Sequence, residues 1–260
     1  MSWSVVVGIY AAVVGSFLNV CIHRIPRGEG IALEPSHCPK CDAPIKWRDN
    51  IPILGWLLLL GRCRSCKAPI SWRYPLVELL SVGLALMALF RFGLTWEFAA
   101  LSIFGAALLT LTMIDFEHYI LPDVITYPGM VVGVALAWLL PLGEPLPSGE
   151  SSLIGLVVGG GGLWLFAWLF EKIAKKPGMG YGDVKLFAMI GAWLGWQALP
   201  FTIFVSALIG SVVGITWIVI AGRDRTLPIP FGPYLAMAAW LYLFWGPPVY
   251  AWYLKAWLGG

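Results

Sequence analysis

Two aspartates and four cysteines hold most of the chemistry available to this sequence. Asp115 closes an apolar run in LLTLTMIDFEHYILPD, and Asp183 opens another in GMGYGDVKLF. A charge in or beside a membrane-length apolar run is costly and marks a functional group by default. Two carboxylates sharing one site suit hydrolysis. One stays ionised and takes a proton from water, while the other keeps its proton and polarises a carbonyl. Like charges a few ångströms apart cannot both ionise cheaply, so proximity itself divides the roles. Gly180 and Gly182 remove side-chain bulk beside Asp183, which gives a substrate backbone room to approach. The residues also have plainer uses. Asp183, like Asp123 in LPDVITY, is a good helix N-cap, Asp115 suits a headgroup boundary, and the pair would serve an ion or proton path. Residue types alone leave these uses open.

The cysteines come as CPKC (38–41) and CRSC (63–66), with 21 residues between the pairs. Each pair can place two thiolates on one metal, and four sulfurs complete a closed tetrahedral zinc site with no position left for water. The expected metal is therefore structural zinc on Cys38, Cys41, Cys63 and Cys66. Redox chemistry of the pairs and an iron–sulfur cluster are the alternatives. No HExxH stretch accompanies them. His37 adjoins Cys38 and reads as a surface residue. Cys21 stands alone at the end of an apolar run and reads as packing.

The elements that must position these groups are membrane helices. Of 260 residues, 59% are hydrophobic and 12% charged, with a mean hydropathy of +0.81. Soluble domains are nearer half apolar and a quarter charged. A span needs about 20 apolar residues, and eight candidates fall near 3–22, 74–92, 97–115, 124–141, 152–170, 184–200, 201–221 and 232–257, with Pro200 marking the turn between the sixth and seventh. No basic residue precedes the first apolar run, so that run is expected to be a retained span rather than a cleaved signal. The stretch IPILGWLLLL (51–60) is too short to cross and is expected to be buried or interfacial. Glycines at 155, 159–162, 210 and 214 let helices approach closely. No internal repeat, low-complexity segment or nucleic-acid module is read. The fold class is an all-α polytopic membrane protein of about eight spans. Its divisions are a first helix (1–22), a zinc-binding loop (23–73) and a helical bundle (74–260).

Net charge is only +3, but its distribution is informative. Nine Lys and Arg lie from Arg24 to Arg73, and Lys172, Lys175, Lys176, Lys185, Arg223 and Arg225 fall on the same side of the spans, leaving Arg91 and Lys255 opposite. The positive-inside rule makes the basic side cytoplasmic. Asp115 and Asp183 are then both expected at cytoplasmic helix ends. In that reducing compartment the cysteines are not expected to form disulfides.

Taken with GSFLNVCIHRIP (15–26), RYPLVELL (73–80), IDFEHYILPD (114–123) and GMGYGDVKL (178–186), the two cysteine pairs complete a pattern. In this order the segments resemble the bacterial prepilin peptidases, type IV leader peptidases of the GxGD aspartic protease group. The resemblance covers nearly the whole chain. It implies a bifunctional enzyme of the bacterial inner membrane, embedded in lipid and working at the cytoplasmic face. Such an enzyme removes the basic leader of type IV prepilins and of type II secretion pseudopilins. It then methylates the new N-terminal amine with S-adenosylmethionine. The family's catalytic aspartates fall on Asp115 and Asp183, and its zinc ligands on the four cysteines. Glu117 stands where many members have a second aspartate. Asp123 matches the motif too, and helix capping suffices for it.

No GxGxxG fingerprint follows a strand, so a Rossmann site for the methyl donor is not supported. The residues that bind S-adenosylmethionine are therefore unassigned. Asn19, Arg24 and Glu78 are polar residues near the cytoplasmic face that serve either methyl transfer or hydrogen bonding between helices. Two other functions remain alternatives: a GxGD intramembrane protease without methylation, and a transporter using the acids as a proton relay. The cysteine framework speaks against the first, and the missing two-fold repeat against the second.

Overall fold

The computed structural model describes residues 3–31, 36–140, 143–175, 179–221 and 230–257. Lys176, Arg223 and Arg225, which contribute to the basic side above, lie outside them, as does Gly178 of the GMGYGDVKL stretch. The helices in chain order are α1 (Trp3–Arg24), α2 (Leu54–Leu58), α3 (Arg73–Phe92), α4 (Trp96–His118), α5 (Asp123–Leu139), α6 (Gly149–Ala174), α7 (Tyr181–Leu194), α8 (Ala198–Ala221) and α9 (Gly232–Trp257). Each expected span overlaps a helix, not always one of spanning length, and the described residues contain no strand. Helices α1, α3, α4, α6 and α8 are long and apolar enough to cross a bilayer, and α5 is a shorter apolar helix. The chain is a multi-pass, all-α membrane protein.

Two compact units divide it, residues Met1–Thr110 and Leu111–Gly260. In the first, α1 packs against α3. The approach is close because Gly15 has no side chain, and a Cβ there would stand 2.8 Å from both Glu78 Cα and Ser81 Oγ. The loop between the two helices holds α2 and the cysteines.

In the second unit α7 is the hub, packing against α5, α6, α8 and α9. It is apolar on all sides, and its residues from Leu186 to Leu194 are all buried; a helix without a polar face belongs in a core. Its 14 residues reach about 21 Å at 1.5 Å per residue, short of the hydrocarbon thickness. The expected span over 184–200 runs too far. Gly195 takes a left-handed φ of 79° and ends α7, and α8 starts at Ala198. Pro200 therefore lies in the first turn of α8 rather than between helices. Proline is tolerated there because the first amides of a helix have no intrahelical partner.

Contacts with α7 are built from small residues and one indole. Gly155 of α6 meets Gly191 so closely that a Cβ on Gly155 would come 2.8 Å from the Gly191 carbonyl carbon. Trp193 Nε1 donates to the Gly129 carbonyl of α5 at 2.8 Å.

Candidate active site and metal centre

Asp115 lies in the last turn of α4 and is 5% exposed. The helix closes when the Tyr119 amide donates to the Asp115 carbonyl at 3.0 Å, and Tyr119 adopts a left-handed φ of 55°. That turn drives Leu121 inward, where it is buried. Two glycines stand against it. A Cβ on Gly182 would be 3.1 Å from Leu121 Cβ, and one on Gly232 would be 3.3 Å from Leu121 Cδ1. Leu121 thus joins the starts of α7 and α9 to the end of α4.

Both carboxylates meet helix N-termini, where partial positive charge favours an anion. Asp183 is in the first turn of α7. Asp115, at the unfavourable end of its own helix, is compensated by α9: the Gly232 amide donates to Asp115 Oδ2 at 3.1 Å. Asp183 lies close enough to Asp115 for the two charges to act on each other. The pair expected from the sequence is therefore brought together within one unit.

Neither aspartate expected as an N-cap occupies the N-cap position. The N-cap of α7 is Gly180, without a side-chain cap, and Asp183 donates its amide to the Gly180 carbonyl at 3.1 Å. At α5 the N-cap is Pro122, again without a side-chain cap, and Asp123 pairs with Lys185 of α7 instead. The chain reaches Asp123 straight from a proline in extended conformation, so the aspartate begins the helix instead of preceding it. Glu117 is exposed, with its carboxylate 4.0 Å from His118 Nε2.

The sequence reading missed Gly232 and Leu121. The signal for the first was Gly-Pro at the opening of an apolar run, since proline suits the first helical turn. Leu121 looked like any apolar residue.

In the first unit the four cysteine sulfurs lie within 4.8 Å of one another. A tetrahedron with metal–sulfur bonds of about 2.3 Å has sulfur–sulfur edges of about 3.8 Å. Cys38 Sγ and Cys66 Sγ are 3.8 Å apart. The donor set fits a closed metal site on this measure. His37 is exposed and outside the group, and Cys21 is buried in α1.

Each pair sits in the same small knuckle. The Cys38 amide bonds the Ala43 carbonyl at 3.0 Å, and the Cys63 amide bonds that of Ala68 at 2.8 Å. Asp42 and Lys67 both take left-handed φ, and bridges close His37 to Pro44 and Arg62 to Pro69. No repeat was expected, yet Cys-x-x-Cys-x-Ala-Pro-Ile stands at both 38–45 and 63–70. Its unit of eight residues is too short to register as a domain-scale repeat.

The knuckle amides also favour thiolates. Those of Cys66 and Ser65 pull the Cys63 thiol down to about 6. At Cys41 the Ala43 amide acts in the same sense and is the largest single influence, but hydrogen bonds to the Cys66, Cys38 and Cys63 sulfurs and desolvation together exceed it and push the thiol up to about 12. Four crowded sulfurs without a cation cannot all ionise, and a divalent metal removes that conflict.

The polar residues considered for methyl transfer are all buried in the first unit. Asn19 Nδ2 donates to the carbonyls of Gly15 at 3.3 Å and Tyr74 at 3.1 Å, so it ties α1 to α3. Arg24 Nη1 donates to the Gly30 carbonyl at 3.1 Å, and Glu78 Oε2 accepts the Ile53 amide at 2.6 Å.

Comparison with known proteins agrees with this layout. Residues 9–92 match the bacterial peptidase A24 N-terminal domain, and residues 102–215 match the type IV leader peptidase family. A prepilin leader peptidase/N-methyltransferase of Pseudomonas aeruginosa is 40% identical over 93% of this chain and 90% of its own. Proteins of the same name from Xanthomonas campestris and Legionella pneumophila are each 38% identical, covering 93% and 97% of this chain and 91% and 95% of their own. No solved structure matches. With identity at this level along nearly all its length, and two family models falling in order on its two halves, the chain belongs to the type IV leader peptidase family.

Proposed function

We propose that this protein is a membrane-embedded aspartic peptidase. It removes the leader of type IV prepilins and type II secretion pseudopilins and then N-methylates the new terminus. The observation that carries the reading is the meeting of Asp115 and Asp183 at the N-termini of α9 and α7. In hydrolysis, one ionised carboxylate takes a proton from water and the oxygen attacks the scissile carbonyl. The other carboxylic acid hydrogen-bonds the carbonyl oxygen as charge develops there. Collapse of the tetrahedral adduct breaks the C–N bond, and the departing amine takes a proton from the pair.

The methyl donor is S-adenosylmethionine. When bound, it would supply a methyl group to the neutral terminal amine, leaving as the neutral thioether. The metal on Cys38, Cys41, Cys63 and Cys66 is zinc with a structural role, since all four positions are filled by sulfur. The chain works in the bacterial inner membrane with its site at the cytoplasmic face, where basic loops and the basic leader both remain. Its functional divisions are the first helix (1–22), the zinc loop (23–73) and the bundle (74–260).

Purified protein in vesicles, given a prepilin and methyl-labelled S-adenosylmethionine, tests the reading. Cleavage followed by label on the mature N-terminus is expected. Cleavage without label would reduce the protein to a peptidase, and neither activity would overturn the proposal.

A further inference from the structure

The zinc loop carries a feature that neither peptide cleavage nor metal binding uses. Helix α2 is only five residues long, yet Leu54, Leu57 and Leu58 stand on one face at helical spacing, all exposed, with Leu58 at 77%. Leu60 follows at 83%. The opposite face is fixed to the loop. Gly55 is buried, and a Cβ there would lie 2.9 Å from the Asp49 carbonyl carbon. Trp56 Nε1 donates to the Ile70 carbonyl at 3.2 Å. The leucines therefore point outward because the loop's own packing uses the other side.

The depth of this face is set by Glu78. That residue lies in the second turn of α3, a helix apolar enough to span. Five residues past Arg73 correspond to about 7.5 Å along the helix axis. Its carboxylate holds the amide of Ile53, the residue just before α2, at 2.6 Å. Ile53 takes a φ of 62°, which is unusual for a β-branched residue and needs such a restraint. The start of α2 is thus tied to a level inside the span rather than above it. Interfacial helices bury their apolar face by about 5–10 Å.

The surroundings match a lipid surface. Lys46, Arg48 and Arg62 are exposed on the flanking chain, as basic residues near anionic headgroups would be. Trp47 and Trp72 are exposed as well, and tryptophan favours the headgroup level.

We infer that residues 54–60 form a monotopic anchor that lies in the headgroup–acyl boundary of an anionic phospholipid bilayer, at a depth fixed by Glu78. The anchor would hold the cysteine cluster against the membrane. It is independent of the assignment of Asp115 and Asp183.

The test uses the full-length, zinc-loaded protein with a fluorescent amino acid introduced by stop-codon suppression at Leu57, or at the exposed, charged position Lys67 as a control outside the leucine face. The protein is reconstituted in phosphatidylcholine–phosphatidylglycerol vesicles carrying a nitroxide near the headgroup, and zinc content confirms that the loop is folded. Emission at position 57 should lose most of its intensity to the nitroxide, while position 67 keeps its own. In the Glu78→Ala background the quenching at 57 should fall, and Glu78→Gln, which still accepts the amide, should retain it. Equal or absent quenching at the two positions overturns the proposal. So does emission at position 57 that stays unquenched and shifts only with added prepilin, which makes the face a substrate surface. Unquenched emission that shifts only at high protein density makes it a contact between copies and equally overturns it.

Discussion

Gly232 donates its backbone amide to Asp115 Oδ2 at 3.1 Å, and a Cβ on Gly232 would stand 2.7 Å from that same oxygen. The N-terminus of α9 and the carboxylate of α4 are therefore fitted to each other with no space between them. Gly232→Ala must displace the carboxylate or the helix start. A hydrogen bond to a charged group contributes about 1.5–3 kcal/mol, so kcat for prepilin cleavage should fall about ten- to a hundredfold. Circular dichroism should show unchanged helix content. Wild-type kcat in this variant would remove α9 from the site.

Loss of one thiolate should empty the metal site. Cys63→Ser removes the sulfur whose pKa the neighbouring amides pull down to about 6. Because metal-binding free energy is also folding free energy, the loop should lose its order together with the ion. The expected result is less than one zinc per chain by elemental analysis and faster proteolysis within residues 36–72. Full zinc occupancy in the variant would show that Cys63 is not a ligand.

The ion pair between Lys185 and Asp123 links α7 to α5, and both partners are partly exposed. Exposed pairs contribute about 0–1 kcal/mol, so Asp123→Ala should cost little stability. Exchanging the two residues should restore whatever the single variant loses. A much larger loss, not recovered by the exchange, would mean that Asp123 acts elsewhere.

The contact of Gly155 with Gly191 makes a stronger demand. A side chain on Gly191 would enter the backbone of α6, and overpacking of this kind costs about 1–3 kcal/mol. Gly191→Val should lower the midpoint of thermal unfolding in detergent. Since α7 carries Asp183, cleavage should fall with it. An unchanged midpoint would show that α6 and α7 separate more readily than their packing suggests.

Much of this arrangement was legible in the sequence. Hydropathy located the long helices, and the Cys-x-x-Cys spacing picked out the four cysteines whose sulfurs the fold gathers within 4.8 Å. What escaped depends on tertiary contact. An apolar run cannot reveal that α7 stops at Leu194, because Gly195 and Pro200 were equally plausible ends. Only packing shows that proline is inside the first turn of α8. Gly232 is far from Asp115 in sequence, and its amide bears no mark of its partner. Asp123 has the residue type of a cap, but the preceding proline puts it one position too late to be one.

The proposed chemistry rests most directly on the two carboxylates, and one assay reads both activities. Asp115→Asn and Asp183→Asn proteins, shown to be folded and zinc-loaded, are given a full prepilin and, separately, a pilin already cleaved. Asparagine keeps the shape but cannot exchange the proton. Methyl transfer needs an aligned neutral amine rather than an activated water. Both variants should fail to cleave the prepilin while still methylating the cleaved pilin, and some substitutions among Asn19, Arg24 and Glu78 should show the reverse. Near-normal cleavage by folded Asp183→Asn protein would contradict the assignment of the site.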